Sequence, residues 1–154
     1  HAAAEQANAL AQTKLGNMYL KGLGVPKNDF TAIGWWAQAA AAGNTDAQFN
    51  LGNSLQNGSG VRKDIVSAIQ WWRLAAEHGH TDAQLTMGIA SRDGIGGIDP
   101  EPDRAMAWFR LAAESGSTQA REQLVKLGSP KRVVHQRQET RPVSVVGVGS
   151  IEDR

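Results

Sequence analysis

The sequence has no cysteine and almost no net charge, and each of these absences excludes a class of protein. Without cysteine, its 154 residues cannot form a disulfide scaffold or a cysteine-based zinc site. A formal net charge of +1 gives no strong attraction to nucleic acid or acidic lipid. No run approaches the ~18 apolar residues of a membrane-spanning helix. Because 41% of the residues are hydrophobic, we expect a folded domain with a core. From the charge and the lack of a long apolar run, we expect no nucleic-acid partner and no membrane span.

The common motifs of catalysis and phosphate binding are also missing. There is no G-x-S-x-G nucleophile elbow, no S-x-x-K motif and no P-loop. His78 and His80 flank a glycine and do not share a helix face, and no third metal ligand is evident beside them. The alternating acids Asp99, Glu101 and Asp103 do not follow the spacing of a calcium loop. The sequence therefore predicts no catalytic residue, no cofactor and no metal site.

What the chain does have is an internal repeat of 36 residues. A large apolar residue followed by glycine recurs at this interval, at Leu15-Gly16, Leu51-Gly52 and Met87-Gly88. Adjacent aromatic residues recur at intervals of 36 and then 37 residues, at Trp35-Trp36, Trp71-Trp72 and Trp108-Phe109. The extra residue of the third unit falls between Gly96 and Ala105. Repeats of this length are typical of solenoids, in which stacked units share one continuous core.

Each unit is predicted to be a helix–turn–helix hairpin, with a first helix A and a second helix B. Apolar residues of the first A helix, Ala11, Leu15 and Met18, follow helical spacing. Glycines, which adopt a left-handed conformation easily, mark the helix ends. The expected bounds are 9–21, 45–57 and 81–93 for the A helices, 29–42, 64–78 and 102–115 for the B helices, and 117–127 for a final capping helix.

Polar residues mark the helix starts. Thr45 with Gln48, and Thr81 with Gln84, have the spacing of a capping box and predict the starts of two A helices. For the B helices, the expected N-terminal residues are Asn28, Asp64 and the pair Asp99-Pro100.

The first residues fit the same repeat frame. Residues 3–8 align with residues 39–44, at the end of a B helix. We therefore expect the chain to open inside a B helix. This partial leading repeat is either a cap or part of a longer solenoid.

Small residues explain how the helices approach one another. Gly16, Gly52 and Gly88 lie in mid-helix, where glycine costs about 1 kcal/mol relative to alanine, so we expect a ring or helix to occupy the missing side-chain volume. The first ring of each aromatic pair is predicted to lie in the core on the alanine face of helix B, at Trp35, Trp71 and Trp108. The second ring is predicted to be buried between repeats, at Trp36, Trp72 and Phe109. With the tryptophans in the core, no stacking platform remains for single-stranded nucleic acid.

The combined pattern, A-x-x-x-L-G-x-x-x-x-x-G-x-G-V followed by A-x-x-W-[WF]-x-x-A-A-x-x-G, resembles the Sel-one-like repeat (SLR) family, relatives of the tetratricopeptide repeats. The resemblance covers residues 3–127. It implies an all-α fold, a right-handed α/α solenoid of about three 36-residue repeats, used as an adaptor or scaffold for protein complexes. Bacterial members are often exported, which favours the periplasm or cell envelope as the compartment.

By analogy with tetratricopeptide repeats, the A helices line a concave face that binds a partner protein or peptide. Asparagine amides there are expected to bind a peptide backbone, apolar residues to form pockets, and an arginine to supply charge. The expected partner-binding residues are Thr13, Asn17, Leu20, Phe49, Asn53, Gln56, Leu85, Ile89 and Arg92.

The composition changes after residue 128, so we divide the chain into a solenoid at 1–128 and a C-terminal tail at 129–154. The tail carries five basic and three acidic residues. It is either flexible or docked as an extended strand, on its own solenoid or on a neighbouring copy. Two alternatives to the adaptor hypothesis stay open: an enzyme or ligand-binding protein acting on cell-wall fragments or β-lactams, and a structural module. Such a module would assemble by head-to-tail stacking of its repeats, and self-association through the solenoid ends or the tail is the corresponding partner expectation.

Overall fold

A computed structural model describes residues 2–128 of the chain, and the tail assigned to 129–154 lies outside the described residues. Seven α-helices and one short 3₁₀ turn, Ile95–Gly97, make up the described part. The helices are α1 (Ala2–Lys21), α2 (Asp29–Ala41), α3 (Thr45–Asn57), α4 (Ile65–Glu77), α5 (Thr81–Asp93), α6 (Pro102–Glu114) and α7 (Thr118–Gly128). No strand occurs within 2–128.

The helices stack as three successive hairpins, α1–α2, α3–α4 and α5–α6, followed by α7. Each B helix also packs against the next A helix, so that contacts run along the chain from one repeat to the next. Three hydrophobic clusters follow one another in the same order, centred on Trp36, Trp72 and Phe109. The prediction of an all-α solenoid of about three repeats with a final helix is confirmed.

The start of the chain differs from the predicted boundary near residue 8. Residues 2–21 form one continuous helix, so the leading segment is helical but is not a separate B helix. The physical reason lies at Ala7, which occupies the position of Gly43 and Gly79. Both of those glycines adopt a φ of +89° where the chain turns between helices. Alanine rarely adopts positive φ and strongly favours the helix, so α1 continues through this position.

The helix caps are also displaced by one residue from the predicted capping boxes. Asn44 Oδ1 accepts a hydrogen bond from the Ala47 amide at 2.9 Å, and His80 Nδ1 accepts one from the Ala83 amide at 3.1 Å. Thr45 and Thr81 are therefore the first helical residues and do not cap. Among the B helices, Asn28 and Asp64 cap as predicted, whereas Glu101 precedes α6 without a side-chain cap.

The glutamines of the predicted capping boxes have another role. Gln48 Nε2 donates to the Ala40 carbonyl at 3.2 Å, and Gln84 Nε2 donates to the Ala76 carbonyl at 3.1 Å. These carbonyls lie in the last turn of the preceding B helix, where backbone acceptors lack helical partners. Each glutamine thus ties the start of an A helix to the end of the B helix before it. Arg121 Nη2 makes the corresponding bond to the Ala113 carbonyl at 3.4 Å.

The mid-helix glycines accommodate aromatic rings, as predicted. A Cβ atom at Gly16 or Gly52 would collide with the indole of Trp36 or Trp72, and one at Gly88 would collide with the ring of Phe109. The absence of a side chain at these positions allows each A helix to approach its B helix closely.

The two rings of each aromatic pair have exchanged their predicted roles. The fully buried rings are the second of each pair, with exposed fractions of 2% at Trp36, 1% at Trp72 and 0% at Phe109. The first rings, assigned above to the core, are only partly buried, and Trp71 and Trp108 pack against the cluster of the preceding repeat. Both rings of a pair lie three or four residues from alanines that recur in every repeat. The helical period alone therefore could not tell which ring is the more buried.

The extra residue of the third repeat is absorbed in the loop between its helices. The backbone amide that precedes the B helix bonds to an A-helix carbonyl nine positions earlier in two repeats, from Asn28 to Tyr19 and from Asp64 to Leu55. In the third repeat the bond from Glu101 spans ten positions, to Ser91. The loop between them includes the 3₁₀ turn, and the packing of α5 against α6 is preserved.

Candidate partner-binding surface

The nine predicted partner-binding residues occupy three equivalent positions on the A helices α1, α3 and α5. Eight of them are partly exposed, whereas Thr13 is buried with an exposed fraction of 3%. The Thr13 hydroxyl donates to the Ala9 carbonyl at 2.8 Å, within the same helix. Thr13 therefore lies beneath the surface and does not present a contact group. The partly exposed positions are Asn17, Leu20, Phe49, Asn53, Gln56, Leu85, Ile89 and Arg92.

The two asparagines of this set hold buried rings in place. Asn17 Oδ1 accepts a hydrogen bond from Trp36 Nε1 at 3.2 Å, and Asn53 Oδ1 accepts one from Trp72 Nε1 at 3.1 Å. A buried indole N–H requires an acceptor, because leaving it unpaired costs about 1–3 kcal/mol. The carbonyl groups of both amides therefore accept hydrogen bonds inside the protein. Their amino groups can still donate hydrogen bonds to an external partner.

The third repeat shows the same rule from the other side. Ile89 stands at the position of Asn17 and Asn53, and its ring partner is Phe109, which has no N–H to satisfy. The amide and the indole therefore change together within one chain. Trp36 Nε1 also bonds to the Thr13 carbonyl at 3.3 Å, so the dependence of the indole on the amide is strongest for Trp72 and Asn53.

The apolar members of the set are partly covered by other side chains of the solenoid. The Phe49 ring stacks on His80, with ring centroids 4.6 Å apart. His80 Nε2 also lies 3.2 Å from Asp46 Oδ1, so the imidazole joins α3 to the start of α5. Leu85 and Ile89 pack against the third hydrophobic cluster. These side chains contribute a part of their surface to the exterior and the rest to repeat packing.

Arg92 is held by two neighbours. Its Nε lies 2.6 Å from Asp93 Oδ1, and its Nη1 donates to Gln123 Oε1 at 2.6 Å. The guanidinium hydrogen bond holds the pKa of Asp93 below its ordinary value. The bond to Gln123 connects α5 to α7, so Arg92 stabilises the end of the described solenoid.

A small cleft lies between α1, α2 and α3, and its wall is rich in amides. The cleft has a volume of about 140 Å³, and we call it the asparagine cleft. Its walls are formed by Leu20, Asn50, Asn53, Asn57 and Ser59, over a floor of Trp36 and Ser54. Only Leu20 and Asn53 belong to the predicted set.

The amides of the asparagine cleft combine internal bonds with free capacity. Asn50 Nδ2 donates to Asn17 Oδ1 at 3.2 Å. The side-chain carbonyl oxygen of Asn50 accepts no hydrogen bond from a donor within residues 2–128. Asn57 is exposed at the end of α3, and its side chain makes no hydrogen bond within the same range. Free amide donors and acceptors on a rigid helix match the N–H and C=O groups of an extended polypeptide.

The sequence carried a signal for this cleft that the repeat analogy did not use. Asn50, Asn53 and Asn57 are spaced by three and four residues, which places them on one helix face. The analogy selected fixed positions of each repeat and so missed Asn50 and Asn57. It also missed Ser59, which follows α3 in the loop.

Two further features of residues 2–128 concern other kinds of site. No helix in this range combines the length and apolar character needed to cross a lipid bilayer. In the same range, no group of three or more histidine, aspartate or glutamate side chains is arranged to hold a metal ion.

The repeats match a known protein family. A family model described as the Sel1 repeat matches residues 9–44, 45–80 and 81–117. A comparison with curated proteins found no match.

Solved structures resemble this chain over most of its length. A Sel1 repeat protein from Oxalobacter formigenes has a TM-score of 0.74 and 42% identity, covering 77% of this chain and 47% of its own. The protein c5321 displays an SLR fold and is described as a protective antigen present in uropathogenic Escherichia coli strains. It has a TM-score of 0.74 and 38% identity to this chain. That alignment covers 81% of this chain and 27% of the antigen.

A third structure shares the fold at lower identity. Helicobacter pylori cysteine rich protein B has a TM-score of 0.64 and 23% identity, covering 75% of this chain and 89% of its own. The present chain thus spans less than half the length of the first two structures, at 47% and 27%.

Proposed function

The chain belongs to the Sel1 repeat family, and from this premise we propose that it is an adaptor that binds a partner polypeptide on its A helices. Proteins built from Sel1 repeats generally mediate protein–protein interaction and are generally not enzymes. The proposed binding surface is made by α1, α3 and α5, which present the partly exposed members of the predicted set. Thr13 supports this surface from below.

The observation that carries the proposal is the asparagine cleft. Its free groups, the Asn50 carbonyl oxygen and the Asn57 amide, lie on a helix whose neighbouring asparagine is fixed by a buried indole. Because the helix is rigid, binding an extended chain there would order few additional side chains, which lowers the entropic cost of association. Leu20 offers an apolar contact at one wall of the cleft.

The side chains of the proposed binding surface also suit a polypeptide better than a charged polymer. Within the set and the cleft, Arg92 is the charged side chain, and it is already bonded to Asp93 and Gln123. Backbone hydrogen bonds and small apolar contacts would therefore dominate recognition. We also propose that residues 1–128 act as the binding solenoid and that residues 129–154 are a separate segment, which regulates access or contributes to self-association.

Affinity capture with matched variants tests the proposal. The variant Asn57→Arg fills the mouth of the cleft with a long side chain at the C-terminal turn of α3, where a cation suits the helix dipole. The control Gln70→Arg makes the same change at an exposed position on α4. The chain is immobilised, and retained proteins are identified by mass spectrometry.

We expect one or more proteins that the wild type and Gln70→Arg retain equally and that Asn57→Arg loses. Equal retention by all three chains would contradict binding at the cleft. A parallel capture without residues 129–154 shows whether that segment recruits or blocks the same partner.

A further inference from the structure

A larger cavity lies on the other side of the solenoid, between α4, α5 and α6. Its volume is about 380 Å³, within the range of small-molecule sites in proteins. The floor and one wall are apolar and include Met87, Ile98 and Trp108. Two B helices and one A helix form this cavity, whereas two A helices and one B helix form the asparagine cleft. It is therefore a separate feature from the proposed partner surface.

The cavity coincides with a change from large to small in the repeat. The position that holds Tyr19 in the first repeat and Leu55 in the second holds Ser91 in the third. Tyr19 and Leu55 pack against the hydrophobic clusters of their repeats. Ser91 is fully buried but supplies only a hydroxymethyl group at that place, which leaves space between α5 and the flanking B helices.

The Ser91 hydroxyl is an unsatisfied polar group at the base of this space. Its Oγ is buried and has no hydrogen-bond partner within residues 2–128. A serine inside a helix ordinarily bonds back to a carbonyl one turn earlier, and a buried polar atom without any partner is rare in native proteins. With an exposed fraction of 0%, Ser91 lies just beneath the accessible surface of the cavity and marks its base.

Charged side chains enter the wall of this cavity and are absent at the equivalent place one repeat earlier. Arg73, Glu77 and Arg104 line it, where the junction between the first two repeats has Ala37, Ala41 and Ser67. Arg104 pairs with Glu101 at 3.1 Å, whereas Arg73 makes no ion pair or hydrogen bond within residues 2–128. The three lining charges sum to +1, and the unpaired cation is Arg73.

From these observations we infer that the cavity binds a small apolar carboxylic acid. The apolar body contacts Ile98 and Trp108 over Met87, and the carboxylate pairs with Arg73. Ser91 lies beneath the inner end, where its small side chain leaves room for the apolar body. Glu77 lies one turn beyond Arg73, about 6 Å along α4. Its negative charge opposes the carboxylate of the ligand and would oppose a doubly charged ligand more strongly.

The test uses 4-phenylbutyrate as the probe, with 4-phenylbutyramide as its uncharged match and butyrate as its match without a ring. Binding to the full chain is followed by NMR at the indole N–H of Trp108, whose resonance is assigned with the variant Trp108→Phe. We expect 4-phenylbutyrate to shift this resonance saturably, with a dissociation constant on the order of 1 mM. We expect the two matched compounds to bind at least about tenfold more weakly.

Two variants take their residues from the repeat framework itself. Ser91→Leu restores the side chain found at Leu55 and should fill the cavity, so that binding is lost. Arg73→Ala restores the residue found at Ala37, and it should weaken 4-phenylbutyrate by about tenfold without changing 4-phenylbutyramide. Glu77→Gln should strengthen binding of the acid by about threefold.

The variants also separate ligand binding from folding. Arg73 is exposed, so Arg73→Ala should melt close to the wild type and remains informative even if Ser91→Leu folds poorly. The inference is wrong if the Trp108 resonance does not move at about 20 mM acid. It is also wrong if the acid binds equally to the wild type, Ser91→Leu and Arg73→Ala.

Discussion

The second and third repeats share one framework but differ at positions on their A helices that change the exposed surface. Both place a ring against a mid-helix glycine, Trp72 against Gly52 and Phe109 against Gly88. Both tie the preceding B helix to the next A helix through the same kind of bond, from Gln48 or Gln84. The framework positions are fixed by the close approach of the helices, where few side chains fit.

The differences lie on top of this framework. The second repeat has Asn53 beside its indole and Leu55 two residues later on another face of the helix, whereas the third repeat has Ile89 and Ser91 at these positions. Amide groups therefore remain exposed on helix α3 of the second repeat, whereas a cavity lies beside helix α5 of the third repeat. A repeat can therefore change its surface chemistry by two or three substitutions without changing its helices.

Removing the buried rings is expected to have the largest effect and tests whether the two repeats share a framework. Trp72→Ala and Phe109→Ala should each lower the free energy of unfolding by about 3–5 kcal/mol, since both create a cavity beside a glycine. Urea denaturation followed by circular dichroism measures this change. The partly buried Trp71 provides the control, and a larger loss for Trp71→Ala than for Trp72→Ala would contradict the assignment of the core rings.

Exchanging the amide tests the difference between the two repeats. Asn53→Ile should lower the free energy of unfolding by about 1–3 kcal/mol, because it leaves the indole N–H of Trp72 buried without an acceptor. In a Trp72→Phe background, the same change reproduces the Ile–Phe pair of the third repeat and should cost much less. Equal costs in the two backgrounds, measured as a double-mutant cycle, would show that amide and indole are not coupled.

The cap between the repeats has a smaller expected effect. His80→Ala should lower the free energy of unfolding by about 1 kcal/mol, because α5 loses the acceptor for its Ala83 amide. His80→Asn copies Asn44, the cap at the start of α3, and should recover most of this loss. Thermal denaturation of the two variants decides the matter. Equal melting temperatures for them would mean that the cap bond contributes nothing measurable.

The smallest expected effect is a pH dependence at the start of α4. Hydrogen bonds from the Ser67 hydroxyl and amide lower the pKa of Asp64 from its ordinary value of 3.8. A carboxyl whose pKa is lowered on folding stabilises the protein above its unfolded pKa, and this contribution is lost as pH falls through the folded pKa. Between about pH 6 and about pH 3, the wild type should therefore lose more stability than Asp64→Asn, which caps without titrating. Parallel losses in the two proteins, followed by urea denaturation, would contradict the role of the carboxylate.

Much of the fold could be predicted because the repeat forces the same solution several times. Glycine at 16, 52 and 88 predicted a close helix contact, and the spacing of alanines and rings predicted the helices that make it. The exchange of ring roles could not be predicted, because positions three and four residues from an alanine share one helix face. Nor could the cap at His80, since histidine is an uncommon N-cap and a threonine follows it directly.

The candidate sites were less accessible to sequence reasoning. The analogy with related repeats located the A helices, but it did not reveal that Asn17 and Asn53 serve the indoles of Trp36 and Trp72. That fact depends on where the ring nitrogen points. The substitution of Ser91 for Leu55 was visible in the alignment of repeats, yet a smaller residue opens a cavity only when its neighbours do not move in. Both features required the packed structure.

Photocrosslinking at the asparagine cleft is the most direct test of the central claim, that the A helices bind a partner polypeptide. A photoreactive phenylalanine derivative is placed at Asn57, or at Gln70 as the control, in cells that produce the protein. We expect a discrete adduct of higher mass from position 57, with a second polypeptide in it, and none of that mass from position 70. Adducts of the same identity and yield from both positions, or from position 70 alone, would contradict binding on the A helices.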